Sequence, residues 1–225
     1  MMKRSMAVLA VAMMAGGAFA QDSKPAPSKA TQPTTKPSSV KPDAAMPPMD
    51  PMMEAWMKAG TPGPEHAQFK MMEGTWDAVS KMYDPANPTA TPTESKATMV
   101  NKLAFGGRFL MHDYSGDFMG MPFNGVGSFG FNNVTKKYEG TWMDSMSTGV
   151  MFMTGAYNEA TKTYTLTGEI DSPMGGKMKQ RQIIKIVDAN KHTLEMFTTE
   201  PGKEECKCME ITYTRSTKNA PSDKH

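Results

Sequence analysis

The chain is poor in the residues that most reaction chemistry draws on. Its 225 residues include four histidines and two cysteines. No serine sits in a strand–turn–helix elbow, and no glycine-rich loop precedes a helix to cradle a phosphate. Those absences leave no catalytic signature and imply no cofactor. An excess of one charge is also missing. The 25 basic residues face 23 acidic ones, and Lys3 and Arg4 both fall in the first stretch of the chain, so the remainder is balanced. A balanced chain lacks the basic footprint that nucleic acid or an anionic membrane surface requires. The longest apolar run, Met6 to Gly17, is shorter than the ~20 residues that a helix needs to cross a bilayer.

That short run has a different meaning. Lys3 and Arg4 precede it, and Ala18-Phe19-Ala20 follows as a small-x-small cleavage site, so residues 1–20 read as a secretory signal. The expected location is outside the cytoplasm, periplasmic or secreted, with no transmembrane segment in the mature chain. Gln21 rather than a cysteine follows the site, which argues against a lipid anchor. Residues 21–49 are almost entirely Pro, Ser, Thr, Ala, Lys and Gln. No apolar face recurs there to offset the entropy of ordering, so a disordered, extended spacer is expected.

Two short helices come next. Asp50 can cap the first and Pro51 suits its opening position; Gly60 can end it, and residues 50–63 form the helix and its linker. The second is expected from Pro64-Glu65 to Met72, with Phe69 and Met72 on one face. After Gly74 the period changes. Segments of eight to ten residues rich in Thr, Val, Ile, Tyr, Phe and Met alternate with Gly- and Asn-rich turns. Strands are placed near 75–83, 95–104, 107–115, 123–131, 137–145, 149–157, 163–170, 178–187, 192–199 and 207–215. The connections are hairpin-sized, for example Phe105-Gly106-Gly107 and Pro201-Gly202-Lys203, so neighbouring strands must run antiparallel. The fold class is therefore all-β: an antiparallel up-and-down barrel of about ten strands over residues 64–216, with a sandwich as the alternative. Residues 217–225 read as a flexible polar tail.

Gly74-Thr75-Trp76 opens the first strand and Tyr213-Thr214-Arg215 ends the last. The pairing resembles the lipocalin and fatty-acid-binding superfamily, in which a Trp on the first strand lies under an Arg from the last and closes one barrel end. A cation–π contact of that kind also covers apolar surface. A wider set of motifs runs through residues 64–216: Glu65-His66, Gly106-Gly107-Arg108-Phe109-Leu110, Gly125-Val126-Gly127, Gly130-Phe131-Asn132-Asn133 and Trp142-Met143-Asp144-Ser145-Met146. In that order they resemble a bacterial family known as domain of unknown function 1579. The resemblance implies a lipocalin-like barrel, often exported, with Gly74, Trp76 and Arg215 at the closed end; it implies no catalytic residues.

Within the strands, Arg108, His112, Tyr114, Trp142, Asp144, Arg181 and Glu195 stand out as candidate pocket residues. Alternation puts Arg108, Leu110, His112 and Tyr114 on one face, Tyr138, Trp142, Asp144 and Met146 on one face, and Lys179, Arg181, Ile183 and Lys185 on another. Which faces point inward is open, because a one-residue slip in register reverses every assignment. The competing reading makes these residues rim groups or internally paired groups. The 25 methionines admit thioether binding of Cu(I), with Met46, Met49, Met52, Met53 and Met57 as the densest cluster; adaptable packing explains them equally. Cys206-Lys207-Cys208 puts two thiols on one strand face, where a disulfide would need a bend or bulge because same-face Cα atoms are ~6.5–7 Å apart. His66, at a helix start beside Glu65, reads as structural.

Three functions follow from these observations. The first is a non-enzymatic protein that holds a small, largely apolar ligand, with Trp142, Tyr114 and Met151 or Met153 in apolar contact and Arg108, Arg181 or Asp144 fixing a polar group. The second is a structural or protein-interaction module with a filled barrel. The third is metal handling through Met, Cys and His. An aromatic-lined void above ~300 Å³ would favour the first.

Overall fold

The computed structural model describes residues 50–87 and 89–217. The expected signal, spacer and most of the tail lie outside the described residues. Two helical pieces precede the sheet: α1, Pro51–Gly60, and α2, Pro64–Ala67, which tightens into a 3-10 turn over Gln68–Met71. Ten strands follow in sequence. They are β1 Gly74–Met82, β2 Thr93–Ala104, β3 Phe109–Phe118, β4 Met121–Asn132, β5 Lys137–Asp144, β6 Met151–Asn158, β7 Thr163–Asp171, β8 Lys177–Asp188, β9 Lys191–Thr199 and β10 Cys206–Arg215. Each pairs antiparallel with its neighbour, and β1 also pairs with β10, so the sheet closes into an up-and-down barrel with no free edge. Among the described residues no helix is long and apolar enough to cross a membrane.

Burial resolves which face is inside. Trp76, Ala78 and Ser80 of β1, Met99 and Asn101 of β2, Leu110 and Tyr114 of β3, Tyr164 and Leu166 of β7, Gln180, Gln182 and Ile186 of β8, and Ile211 and Tyr213 of β10 are buried. The pairing register aligns these positions across strands, for example Trp76 with Met99 and Ala78 with Tyr213. Every second side chain therefore lines the barrel. Two bulges interrupt the ladder, one between Ile186 and Asp188 and one between Lys207 and Met209.

The inside is divided. One apolar cluster joins Phe69 and Met72 to Leu110, Phe129, Tyr138, Met153, Tyr164, Leu166 and Ile186; a second joins Trp76, Ala78, Met99, Tyr114, Ile211 and Tyr213. The first is a plug. Phe69 is driven into the barrel end against Phe129 and Tyr138, with ring centroids 5.4 and 6.2 Å away. The hydroxyls of Tyr138 and Tyr164 both donate to Gln68 Oε1, at 3.1 and 2.9 Å. His66 is buried between Phe69 and Phe131, and its Nδ1 accepts from the Gly63 N–H at 3.0 Å.

The carbonyls at the end of the 3-10 turn would be orphans in a short helical piece, and inner-wall side chains satisfy them. Met72 O accepts from Trp76 Nε1 and from Asn101 Nδ2, each at 2.9 Å. Arg215 donates to Met71 O and Glu73 O at 2.8 Å and to Ala189 O at 2.9 Å. Its guanidinium lies 4.2 Å from the centroid of the Trp76 ring. Gly74 makes room for this closure. Its φ is +121°, and a Cβ there would stand 2.8 Å from Arg215 Nη1, so a side chain is excluded by both conformation and space.

Candidate functional site

The barrel end opposite the plug is the candidate site. There the inner-face apolar groups are incompletely covered: Ala97, Phe123, Trp142, Leu194 and Met209 pack on the second cluster while remaining only partly buried. Along β9 no residue from Thr193 to Thr199 is fully buried, although Leu194 and Met196 face inward. At the plug end the equivalent positions, Leu110 and Tyr164, are 0% and 1% exposed. The inner wall near the mouth is thus less fully covered than the wall at the plug.

Trp142 dominates this region because β4 offers it two glycines. A Cβ on Gly125 would sit 2.2 Å from Trp142 Cζ2, and one on Gly127 would sit 3.0 Å from its Cε3. The indole therefore lies flat on the strand. Tyr114 meets it edge-on at 6.2 Å, and Phe123 meets Tyr114 at 5.8 Å. Trp142 Nε1 donates to Asp144 Oδ2 at 2.9 Å, and the Asp144 Oδ1 accepts the Met146 N–H, so this carboxylate is held at the rim.

Deeper in, two imidazoles sit between the clusters. His112 shares a hydrogen bond with Asn101 Oδ1 at 2.8 Å, and Asn101 is anchored through Met72 O. His192 meets Trp76 edge-on at 4.3 Å and stacks on Tyr213 at 4.5 Å. Its Nδ1 is buried with no hydrogen-bond partner. Burial holds both rings neutral. It pushes His112 down to about 4 and His192 down to about 3, with His112 and Arg215 adding to the effect on His192. Burial also raises the Tyr213 hydroxyl well above its usual range, so it stays protonated.

Of the residues singled out in the sequence, His112, Tyr114, Trp142 and Asp144 come together on the inner wall. The others do not join them. Arg108 falls outside β3, because left-handed Phe105, Gly106 and Gly107 extend the preceding turn. It donates to Gly60 O and Phe105 O, both at 2.8 Å, and so ties α1 to the β2–β3 hairpin. Arg181 lies on the outer face of β8, since Gln180 and Gln182 take the inner positions. It forms a two-pronged pair with Glu205 at 2.9 and 2.5 Å and covers the Phe197 ring at 4.0 Å. Glu195 also points outward, to Lys207 at 2.5 Å, while Leu194 and Met196 point in. These three belong to the outer surface and not to an interior pocket. Asn101, His192 and Gln182 line the interior and were not singled out; their parity with neighbouring apolar residues was the available signal.

Cys206 and Cys208 are free thiols. Cys208 occupies the bulge between Lys207 and Met209, and its sulfur lies 3.3 Å from Thr198 Oγ1. Burial raises the Cys208 thiol above its usual range, which disfavours the thiolate. Among the described residues no three His, Cys, Asp or Glu side chains converge to hold a metal. Met52, Met53 and Met57 lie exposed on α1 with Trp56. Depressions of about 280 and 290 Å³ mark the surface. One borders Arg181 and Glu205; the other lies between α2 and the β2–β3 turn. The first has no aromatic ring in its lining, and the second has only the His66 imidazole.

The fold is shared with solved structures of low sequence identity. Rv2717c from M. tuberculosis matches with a TM-score of 0.50 at 14% identity, over 69% of this chain and 99% of that one. The S-type phycobiliprotein lyase CPES from Guillardia theta matches with a TM-score of 0.49 at 12% identity, over 70% and 100%. A designed fluorescence-activating β-barrel matches with a TM-score of 0.38 at 12% identity, over 68% and 100%. At these identities the first likeness speaks to the fold and the other two carry no further weight. No curated protein matches the chain. The profile of a family described as "Protein of unknown function (DUF1579)" matches residues 61–215, which hold all ten strands, and the chain belongs to that family.

Proposed function

We propose that the protein is an exported, non-enzymatic binding protein whose barrel takes a small, largely apolar molecule through the mouth opposite the plug. The observation that carries this reading is the incomplete cover of Phe123, Trp142, Leu194 and Met209 on the inner wall. Apolar surface left exposed inside a closed barrel gains from a ligand by the ordinary burial term, about 25 cal/mol per Å². Tyr114 and Trp142 offer ring edges and faces to an aromatic or polyene body. Both imidazoles are engaged within the wall: His112 by Asn101, and His192 by stacking on Tyr213. Export rests on Lys3, Arg4 and Ala18-Phe19-Ala20. The mature protein is expected to begin at Gln21 on N-terminal sequencing of material from outside the cytoplasm.

The direct test fills the mouth. Leu194→Trp adds bulk to an inner wall with room for it, so binding of a neutral environment-sensitive dye should be lost while the melt is retained. Undiminished binding by a folded variant would move the ligand elsewhere. A second reading, an interaction module with a filled barrel, is favoured by the modest size of the depressions on the protein, about 280 and 290 Å³, which fall below the ~300 Å³ of a typical ligand pocket. Under that reading neither protein binds dye inside.

A further inference from the structure

The inner wall carries almost no charge. Ten strands supply the side chains that face the barrel interior, and among them only two are ionic: Arg215 at the plug end and Asp144 at the mouth. Neither offers a counter-charge to an anionic ligand. Arg215 spends its donors on three carbonyls and its face on Trp76. Asp144 accepts from Trp142 and from the Met146 N–H, and its own charge at the rim opposes the entry of an anion. Every other cation or anion on the strands, including Arg181, Lys207 and Glu195, lies on the outer face, where such residues find partners. The polar groups left inside are amides, hydroxyls and imidazoles.

We propose that the site selects for an uncharged ligand: a neutral, largely apolar molecule carrying at most a hydrogen-bonding group, in preference to the carboxylate or sulfonate of the same shape. The inference deepens the binding role proposed above and rests on it. A barrel built for fatty acids needs an inner cation to replace the water that a carboxylate loses on entry. Here an acid would lose that water and meet no counter-ion, a large penalty in a low-dielectric wall. The two imidazoles do not become that cation near neutral pH, because burial keeps both of them unprotonated. They can still give or accept a hydrogen bond. His112 is the nearer to the mouth. Its ring borders Trp142 across Gly127, where a Cβ would stand 3.6 Å from His112 Cδ2. It is half-buried, and Asn101 fixes its orientation.

A matched pair of dyes tests this on the full chain. N-phenyl-naphthylamine is neutral, and anilinonaphthalene sulfonate is the same scaffold bearing an anion. The component of binding that Leu194→Trp removes is the one to compare, with Met209→Trp as a second filling variant should the first fail to fold. The neutral dye should bind by that component about tenfold or more tightly than the sulfonate, given the cost of an unpaired buried ion. A sulfonate that binds the mouth as tightly as the neutral dye would overturn selection by charge and leave the binding role intact. If neither dye shows a component sensitive to the filling variants, the binding role falls, and this inference falls with it.

Discussion

The plug end and the mouth are built from the same ten strands but are finished differently. At the plug, Phe69, Leu110, Phe129, Tyr138 and Tyr164 pack ring on ring and leave almost nothing exposed. At the mouth, Phe123, Trp142, Leu194 and Met209 face the same interior and stay partly open. The plug gains its density from an element outside the sheet, the α2 segment and its 3-10 turn. The mouth has no such element among the described residues. A closed sheet therefore does not by itself fill its interior. One end is completed by a helical stopper, and the other is left for something else to complete.

The comparison breaks first at Trp76. Truncation to Ala removes a buried ring, the partner of Met72 O and the platform for Arg215, and should cost ~3–5 kcal/mol. Arg215→Ala should cost ~1–2 kcal/mol, and the double variant should lose less than the sum because the two share one contact. Chemical denaturation of the four proteins gives the coupling, and strict additivity would mean that the contact has no energetic weight.

The same substitution made at both ends sharpens the contrast. Leu110→Ala in the sealed cluster should cost ~3 kcal/mol, and Leu194→Ala at the mouth ~1 kcal/mol, because a side chain that borders open space leaves little new cavity. Equal losses would show that the mouth is packed as tightly as the plug.

Acid should act on the floor between the two regions. His112 and His192 have folded-state values below the ordinary imidazole value, so the unfolded chain binds more protons as the pH falls. Their contribution is complete above about pH 6.5. It declines as the pH drops toward about 4 for His112 and about 3 for His192. His112→Asn should flatten the stability–pH curve between pH 6.5 and 4, removing a slope worth roughly 2–3 kcal/mol across that window. An unchanged slope would place the acid sensitivity in other groups. The smallest effect belongs to the outer face. Arg181→Ala breaks a partly exposed pair and a cation–π contact and should shift stability by less than ~1 kcal/mol, with dye binding unaltered.

The strand ladder was legible because the turns announce themselves. Gly106-Gly107, Asn132-Asn133 and Pro201-Gly202 cut the chain into segments whose ends agree with the observed strands within three residues. The inner face was harder to read. On β8, Lys179, Gln180, Arg181 and Gln182 are all polar, so parity alone does not show that the amides turn in and the guanidinium out. On β9 the order Leu194, Glu195, Met196 carries the alternation plainly, and reading it would have placed Glu195 outside. Arg108 shares parity with Leu110 and His112 but lies past the strand's end, a boundary set by three left-handed residues in a row. The bend that a Cys206–Cys208 bridge would need is present as a bulge, yet the thiols remain apart from any bridge. His192 gave the weakest signal of all: its partners Trp76 and Tyr213 reach it only once the barrel has closed.

That closure has a consequence for how the molecule is made. Arg215 is the last residue of the last strand, and its bond to Glu73 spans 142 positions of the chain. Synthesis delivers β1 early and β10 late, so the first strand must wait, unpaired along one side, until almost the whole domain has appeared. Contacts this distant in sequence slow folding and prolong the life of open intermediates. A chain that stops before β10 would leave a sheet of nine strands with two raw borders, prone to pair with its neighbours. The arginine that ends β10 thus acts as a late latch, since only a chain made through Arg215 can close the barrel.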